Sequence, residues 1–367
     1  MKKLFLVLLL FMTARAGFAQ LPNAVFYDSL NAGEEGELQL GLRALGYIRN
    51  TEYFNDYQAG ATLFGLHVLP TVHYTAGSGI SLHAGAFVRQ DFGSGGIQWV
   101  QPIFTIRYDK GRFSMLFGSI EGALRHGLAE PLYDFDNLIR RRIEQGAQFK
   151  WKSTRLSAEA WIEWQQVTYQ GSQSKEAFWA GSTGAFAFIK SKSWVAEAAW
   201  QITAYHVGGQ LDTTSQPTIT QMNLSPILRI IHNSETFQWK AEYQFLHQQS
   251  TGSFEAIPSG LGQGHLASLS MKRKGLCLMA NYWQTEGFYS LQGGSVYQSF
   301  SSIDPNTPIV SPKRELIWLR VLADIPLSAS TSLTLRAEPF LDLATGLVEY
   351  SYGFYINSRI IQRLRLK

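Results

Sequence analysis

Cysteine is nearly absent from this chain: Cys277 stands alone among 367 residues, so an intramolecular disulfide is excluded whatever the redox compartment. Past the first dozen residues there is no apolar run long enough to cross a bilayer as a helix, which excludes a helical membrane protein. Surplus charge is also scarce. The 32 basic and 28 acidic residues give +4, and the leading segment carries Lys2, Lys3 and Arg15 but no acid, so its removal leaves +1. A pI near 9 therefore carries no nucleic-acid message. Contiguous catalytic signatures are missing too: there is no G-x-S-x-G, H-E-x-x-H, Walker loop or G-x-G-x-x-G, and Gly260-Leu-Gly-Gln-Gly264 has the wrong spacing.

What is present begins with an export signal. Lys2-Lys3, the apolar stretch Leu4 to Met12 and the small residues ending at Ala19 have the three parts of a secretory signal peptide. The expected division is residues 1–19 signal, 20–35 an N-terminal periplasmic linker, and 36–367 one barrel domain.

The barrel expectation rests on a two-residue rhythm that runs from Gly36 almost to the last residue, as in Phe237-Gln-Trp-Lys-Ala-Glu-Tyr-Gln-Phe245. Strand side chains alternate between faces, so each segment has one apolar and one wet face. Sixteen such segments can be placed. Their connections alternate: tight turns such as Asp109 to Arg112 and Lys272 to Gly275 separate longer ones such as Ser119 to Gln145 and Gln284 to Arg314. That is the pattern of an all-β, antiparallel up-and-down transmembrane β-barrel of about sixteen strands, with short periplasmic turns and long extracellular loops. Tyr74, Tyr108, Phe113, Trp151, Trp194 and Phe237 border the tight turns as an interfacial girdle would. Pro70, Pro102, Pro226 and Pro339 fall inside strands, where each removes a ladder donor.

A charge facing lipid at mid-depth costs about 2 to 4 kcal/mol for Arg or Lys, so the charged parity faces inward. It contains Arg43, Arg89, Arg107, Lys150, Glu159, Glu163, Arg229, Lys240, Glu242, Arg320, Arg336 and Glu338. Both signs are matched, which implies weak ionic selectivity. Tyr47, Trp99, Trp161, Trp283 and Trp318 share that parity and suit either saccharide stacking or packing against an inserted loop. The segment from Gly118 to Gln145 is the candidate constriction loop, with Glu121, Glu130, Asp134, Asp136, Arg140, Arg141 and Arg142. Asp136 or Asn137 is placed to cap a short helix there. Folded inward, its acids Glu130, Asp134 and Asp136 would face wall residues Arg43, Arg89, Arg107, Lys240 and Arg336; lying over the mouth, the loop would be a lid.

This layout resembles the sixteen-stranded general porins of outer membranes, in which the loop after the fifth strand folds into the barrel as an acidic constriction. The resemblance is one of topology, without a shared motif. The Ala-Gln junction and aromatic-rich strands also resemble barrels of the Bacteroidota. One departure is the end Arg363-Leu-Arg-Leu-Lys367, where such porins carry a terminal aromatic.

The expected function is passive, weakly selective diffusion of small polar solutes through an outer-membrane channel, with outer-membrane lipid as the surrounding partner. Neither enzymatic activity, nor a cofactor, nor a metal is expected, and no nucleic acid. One alternative is a non-conducting surface or secretion-scaffold barrel binding a partner through loops such as Gln284 to Arg314. The other is a lipid hydrolase using His247 or His265, which with His206 lie in or beside the outward loops. His73 and His83 are expected as diagonal neighbours on the inward parity.

Overall fold

The computed structural model describes residues 26, 33–209, 213–215, 217–252, 260–301, 303, 309–311 and 313–365. The expected signal segment and most of the expected linker lie outside the described residues. The wall opens with β1 (Glu37–Glu52), β2 (Ala61–Gly77), β3 (Ile80–Asp91), β4 (Trp99–Lys110), β5 (Phe113–Ser119), β6 (Gln145–Lys152), β7 (Leu156–Gln166) and β8 (Glu176–Lys190). It continues with β9 (Trp194–Gly208), β10 (Ile219–Asn233), β11 (Gln238–Thr251), β12 (Gly260–Arg273) and β13 (Leu276–Glu286). After the two-residue strands β14 (Phe300–Ser301) and β15 (Ile309–Val310), it ends with β16 (Lys313–Pro326), β17 (Thr331–Asp342) and β18 (Val348–Arg365).

Sixteen of these strands form one closed antiparallel barrel in sequence order, β1 pairing with β18 across the seam, while β14 and β15 form a separate small ladder. Closure removes the sheet edge that would otherwise leave backbone groups without partners in lipid. The register follows the side-chain alternation. On β18, Tyr350, Tyr352, Phe354 and Ile356 are exposed outward, while Glu349, Ser351 and Tyr355 are buried inward. Trp151, Trp194 and Phe237 are exposed beside the tight turns, as a girdle requires. The prolines do sit within strands, and at Pro70 and Pro226 the regular register lapses on one side, consistent with the missing donor.

The wall is uneven at one place. β5 and β6 have 7 and 8 residues where their neighbours have 11 or more, because the chain leaves the wall at Ser119 and returns only at Gln145. Gly118, with φ 104°, makes the departure: a Cβ there would stand 2.1 Å from the Phe104 carbonyl oxygen. The loop turns inward and its apolar side chains fill the lumen. Leu128, Leu132 and Tyr133 pack with the wall residues Trp161, Trp179, Trp283, Trp318 and Phe340.

A second loop joins it. The connection after β13, expected to project outward, instead carries Phe288, Val296 and Tyr297 into the same cluster. Its reason is physical: these side chains are apolar, and the first loop offers backbone partners, with Asp134 N–H donating to Gln292 O at 2.8 Å and Gly294 N–H to Glu130 O at 2.9 Å. The inward aromatics are thus packed, Trp318 stacking on Phe340 and Trp283 donating its Nε1–H to Tyr297 O at 2.9 Å. Trp99 stands apart, exposed at the end of β4.

Placing a charge on the lipid face tests this register. Leu228, at the middle of β10 and 62 % exposed, changed to Arg should cost about 2 to 4 kcal/mol in urea unfolding from lipid vesicles. Arg in place of Leu343, outside the strands, should cost far less.

Candidate functional site

Three acids and three arginines meet across the middle of the lumen. The loop supplies Glu130 and Asp136; the wall supplies Glu338, Arg49, Arg320 and Arg336. Glu130 accepts from Arg320 Nη2 at 2.5 Å and from Arg336 Nη2 at 2.7 Å. Glu338 accepts from Arg336 Nε at 2.7 Å, from Arg49 Nη1 at 3.2 Å and from Arg320 Nε. Asp136 accepts from Arg49 Nε at 3.2 Å, and the Arg336 guanidinium lies 3.5 Å from the Phe135 ring centroid. All six ions are buried, so their mutual pairing is what offsets the loss of hydration.

Of the five wall cations expected to oppose Glu130, Asp134 and Asp136, Arg336 does so, and Arg49 and Arg320 complete the set. Arg89 pairs with Asp91 near the long-loop rim at 2.6 Å, beside the Tyr47 hydroxyl. Arg107 joins Asp109 and Glu121 toward the tight turns, and Glu121 also holds Lys150 and Arg125. Lys240 and Arg229 both face Glu242, Arg229 reaching Glu197 as well. Arg141 pairs with Glu163 at 3.1 Å, Arg142 donates to Phe26 O, Arg140 is exposed, and Arg43 lines a cavity on the tight-turn side. The expected helix is a single turn, Asn137–Arg140. Its N-cap Asp136 makes no capping bond because its carboxylate is turned to Arg49.

His126, buried in the loop, was not distinguishable in the sequence. It is hydrogen-bonded to Glu144 at 2.9 Å through Nε2 and to Glu159 at 2.8 Å through Nδ1, and its ring stacks on Trp161 at 3.7 Å. Burial opposes its charge, but the two carboxylates outweigh that and raise it to about 9. Nearby, burial and then Asp136 raise the Asp134 carboxyl to about 7. His73 and His83 are direct cross-strand partners rather than diagonal ones, with ring nitrogens 2.6 Å and 2.9 Å apart. Among the described residues no cluster of three metal-ligating side chains occurs.

Three other histidines sit on the outward face, within strands rather than in loops. His206 on β9 stands directly opposite Thr220 on β10, with Nδ1 2.9 Å from the threonine Oγ1. Phe178 flanks its ring at 5.1 Å, Trp164 stacks on Phe178, and Met222 is exposed beside the pair. His265 is held by the Tyr243 hydroxyl at 2.7 Å through Nδ1. His247 lies in register with Gln263, which bonds to Glu286. A histidine within hydrogen-bond reach of a hydroxyl is the base-and-nucleophile arrangement that acyl transfer uses. His206 and Thr220 meet that requirement; the phenol of Tyr243 serves His265 better as an orienting group.

The His126 charge has a testable sign. Its raised value means that the stabilisation is complete below about 6.5 and is lost as pH rises through about 9, whereas the Asp134 contribution is already gone above about 7. Protection factors of residues 119–144, with the intrinsic pH dependence of amide exchange divided out, should therefore fall between pH 7 and 9.5, and His126→Gln should remove that step. Protection that stays flat over this range in the unaltered protein would refute the charged histidine.

The fold has known counterparts. OccAB4 of Acinetobacter baumannii aligns over 90% of this chain and 100% of its own with a TM-score of 0.52 and 10% identity. OccK8 (OprE) of Pseudomonas aeruginosa gives 0.53, 11% identity, 90% and 100%. The loop L8 deletion mutant of OmpT, an outer membrane protein of Vibrio cholerae, gives 0.53, 9%, 89% and 100%. At such identities the likeness is one of fold, a sixteen-strand outer-membrane-type barrel. No curated protein matches the sequence. A family model does: lipid A 3'-O-deacylase-type, over residues 30–365. That match overturns the expectation that the chain is not an enzyme. The absence of contiguous motifs is no guide there, because neighbouring strands of a barrel can bring together residues that share no sequence motif, as His206 and Thr220 do by register. By that match across almost its whole length, the chain belongs to the lipid A 3'-O-deacylase-type family.

Proposed function

We propose that this protein hydrolyses an acyl ester of a lipid A-type substrate from within the outer membrane, and that the reaction takes place on the outward face at His206 and Thr220. The observation that carries this reading is the 2.9 Å contact between His206 Nδ1 and Thr220 Oγ1 on the lipid side of the wall. The pair lies two residues from the end of β9 and one from the start of β10, on the long-loop side. Acyl ester bonds lie at the boundary between headgroups and hydrocarbon, the level at which these strands end. Met222, Phe178 and Trp164 offer an apolar surface for the chain below.

The chemistry follows from the pair. Thr220 Oγ1 attacks the ester carbonyl while its proton passes to His206; His206 returns the proton to the departing alkoxide, leaving an acyl-threonine. Water, deprotonated by the same imidazole, then releases the fatty acid and restores the hydroxyl. One ester and one water give one acid and one alcohol.

The filled waist supports this reading. Glu130, Glu338 and their three arginine partners occupy the position that an open channel needs for solvent. A second reading, porin-like passage of small polar solutes, draws on the sixteen-strand barrel and requires both lumenal loops to leave.

Fatty-acid release from lipid A by the detergent-solubilised protein, followed by mass spectrometry, should fall by about 100-fold or more in His206→Asn and in Thr220→Val. His265→Asn should remain active. Turnover that survives both substitutions would move the site elsewhere; steady current in planar bilayers with intact loops, and no turnover, would favour the channel.

A further inference from the structure

On the long-loop side the wall is incomplete between β4 and β7. β5 pairs with β4 only from Thr105 to Lys110, and β6 pairs with β7 only as far as Glu163. Residues 99–104 of β4 and 164–166 of β7 therefore border a window two strands wide, its edges three strand spacings or about 14 Å apart. The bare edge of β4 is finished by side chains rather than by a strand. Pro102 has no N–H to leave unpaired, its carbonyl accepts from Gln145 Nε2 at 3.3 Å, and Phe104 N–H donates to Ser119 Oγ at 3.3 Å. The surface around the window is apolar, with Trp99, Val100, Phe104, Phe117 and Trp164 all exposed.

The segment returning from the lumen crosses behind this window from edge to edge. Arg141 pairs with Glu163 of β7 at 3.1 Å, and Ile143 packs beside Ile103 of β4. Residues 120–144 are buried or half-buried apart from two neighbours, Arg140 and Arg141, which are exposed. Arg141 also donates to Gln292 at 3.3 Å. Among the described residues Arg140 makes no side-chain hydrogen bond or ion pair, and Asp134 reaches it only through space. Glu163 and Asp134 offset both cations, so what the pair offers is open donors rather than surplus charge. A guanidinium fork with open donors matches the oxygens of a phosphate, and the apolar rim matches hydrocarbon. Long loops mark the outer end of such barrels, which sets the window in the outer leaflet.

We propose that this window binds a phosphate-bearing lipid of the outer leaflet. Arg140 and Arg141 hold the phosphate, and the acyl chains lie outside against Trp99, Phe104, Phe117 and Trp164. The lipid thereby fills the gap that the short β5 and β6 leave in the wall. This site does not rest on the deacylation reading.

Native mass spectrometry of the full-length protein in non-ionic detergent tests it, with an ether-linked phosphatidic acid that has no acyl ester to cleave. A saturable adduct is expected, with affinity about tenfold lower in Arg140→Gln, which loses charge-assisted bonds to the phosphate. Trp99→Ala should weaken binding severalfold by removing apolar rim. Arg112→Gln, exposed at the opposite end of the same strands, should bind as the unaltered protein does. Arg140→Lys, which keeps the charge and loses the fork, should fall between. Heat-modified gel mobility establishes that each variant has folded. Absence of an adduct, or affinity unchanged in Arg140→Gln, would overturn the site. Inorganic phosphate bound as tightly as the lipid, with Trp99→Ala without effect, would overturn the lipid as its occupant. Because the probe carries no ester, failure of this proposal leaves the deacylation reading standing, and the converse holds.

Discussion

Burying charge inside a closed wall is the constraint on which the rest of this structure depends. Glu338, Arg49, Arg320 and Arg336 all project into a lumen where bulk water is displaced by the inserted loops. Four ions with three positive charges and one negative cannot be accommodated there by themselves, because an uncompensated buried ion costs several kcal/mol. Glu130 and Asp136 bring the count to three of each sign, and they come from a loop that leaves the wall early at Gly118 to deliver them. The aromatic cluster, the attachment of the second loop through Gly294 and Tyr297, and the shortness of β5 and β6 are all arranged around that delivery.

The two faces of the wall divide the labour. The inward face is committed to ion pairs and stacked rings, with His126 enclosed between two carboxylates where no substrate reaches it. The outward face keeps a few polar residues in an otherwise apolar surface, among them His206 with Thr220 near the long loops. On the proposed reading, a barrel that works on lipid has no need of an axial passage, and rigid filling of the lumen would hold the outward pair at fixed spacing.

Much of the wall was legible because alternation is a local signal: a sequence neighbour two positions away is a neighbour on the same face. Strand number, the tight turns and the parity of Glu349, Ser351 and Tyr355 all follow from it. Cross-strand identity does not. Glu130 and Arg320 are 190 residues apart, and nothing near either one marks the other as its partner. Arg49 carries no local mark of its role for the same reason, since its partners Asp136 and Glu338 lie on two distant elements. Loop direction was not legible: the acids and arginines between Gly118 and Gln145 suit an inserted loop or a lid equally, and nothing in the 287–312 segment marks Phe288 and Tyr297 as its anchors in the lumen.

Glu130 and Asp136 lie in the first half of the chain, whereas Arg320, Arg336 and Glu338 arrive only with the penultimate strands. Neutralising Glu130 therefore draws on strands from the far end of the chain, which ties the seating of the inserted loop to a wall that is complete up to its seam.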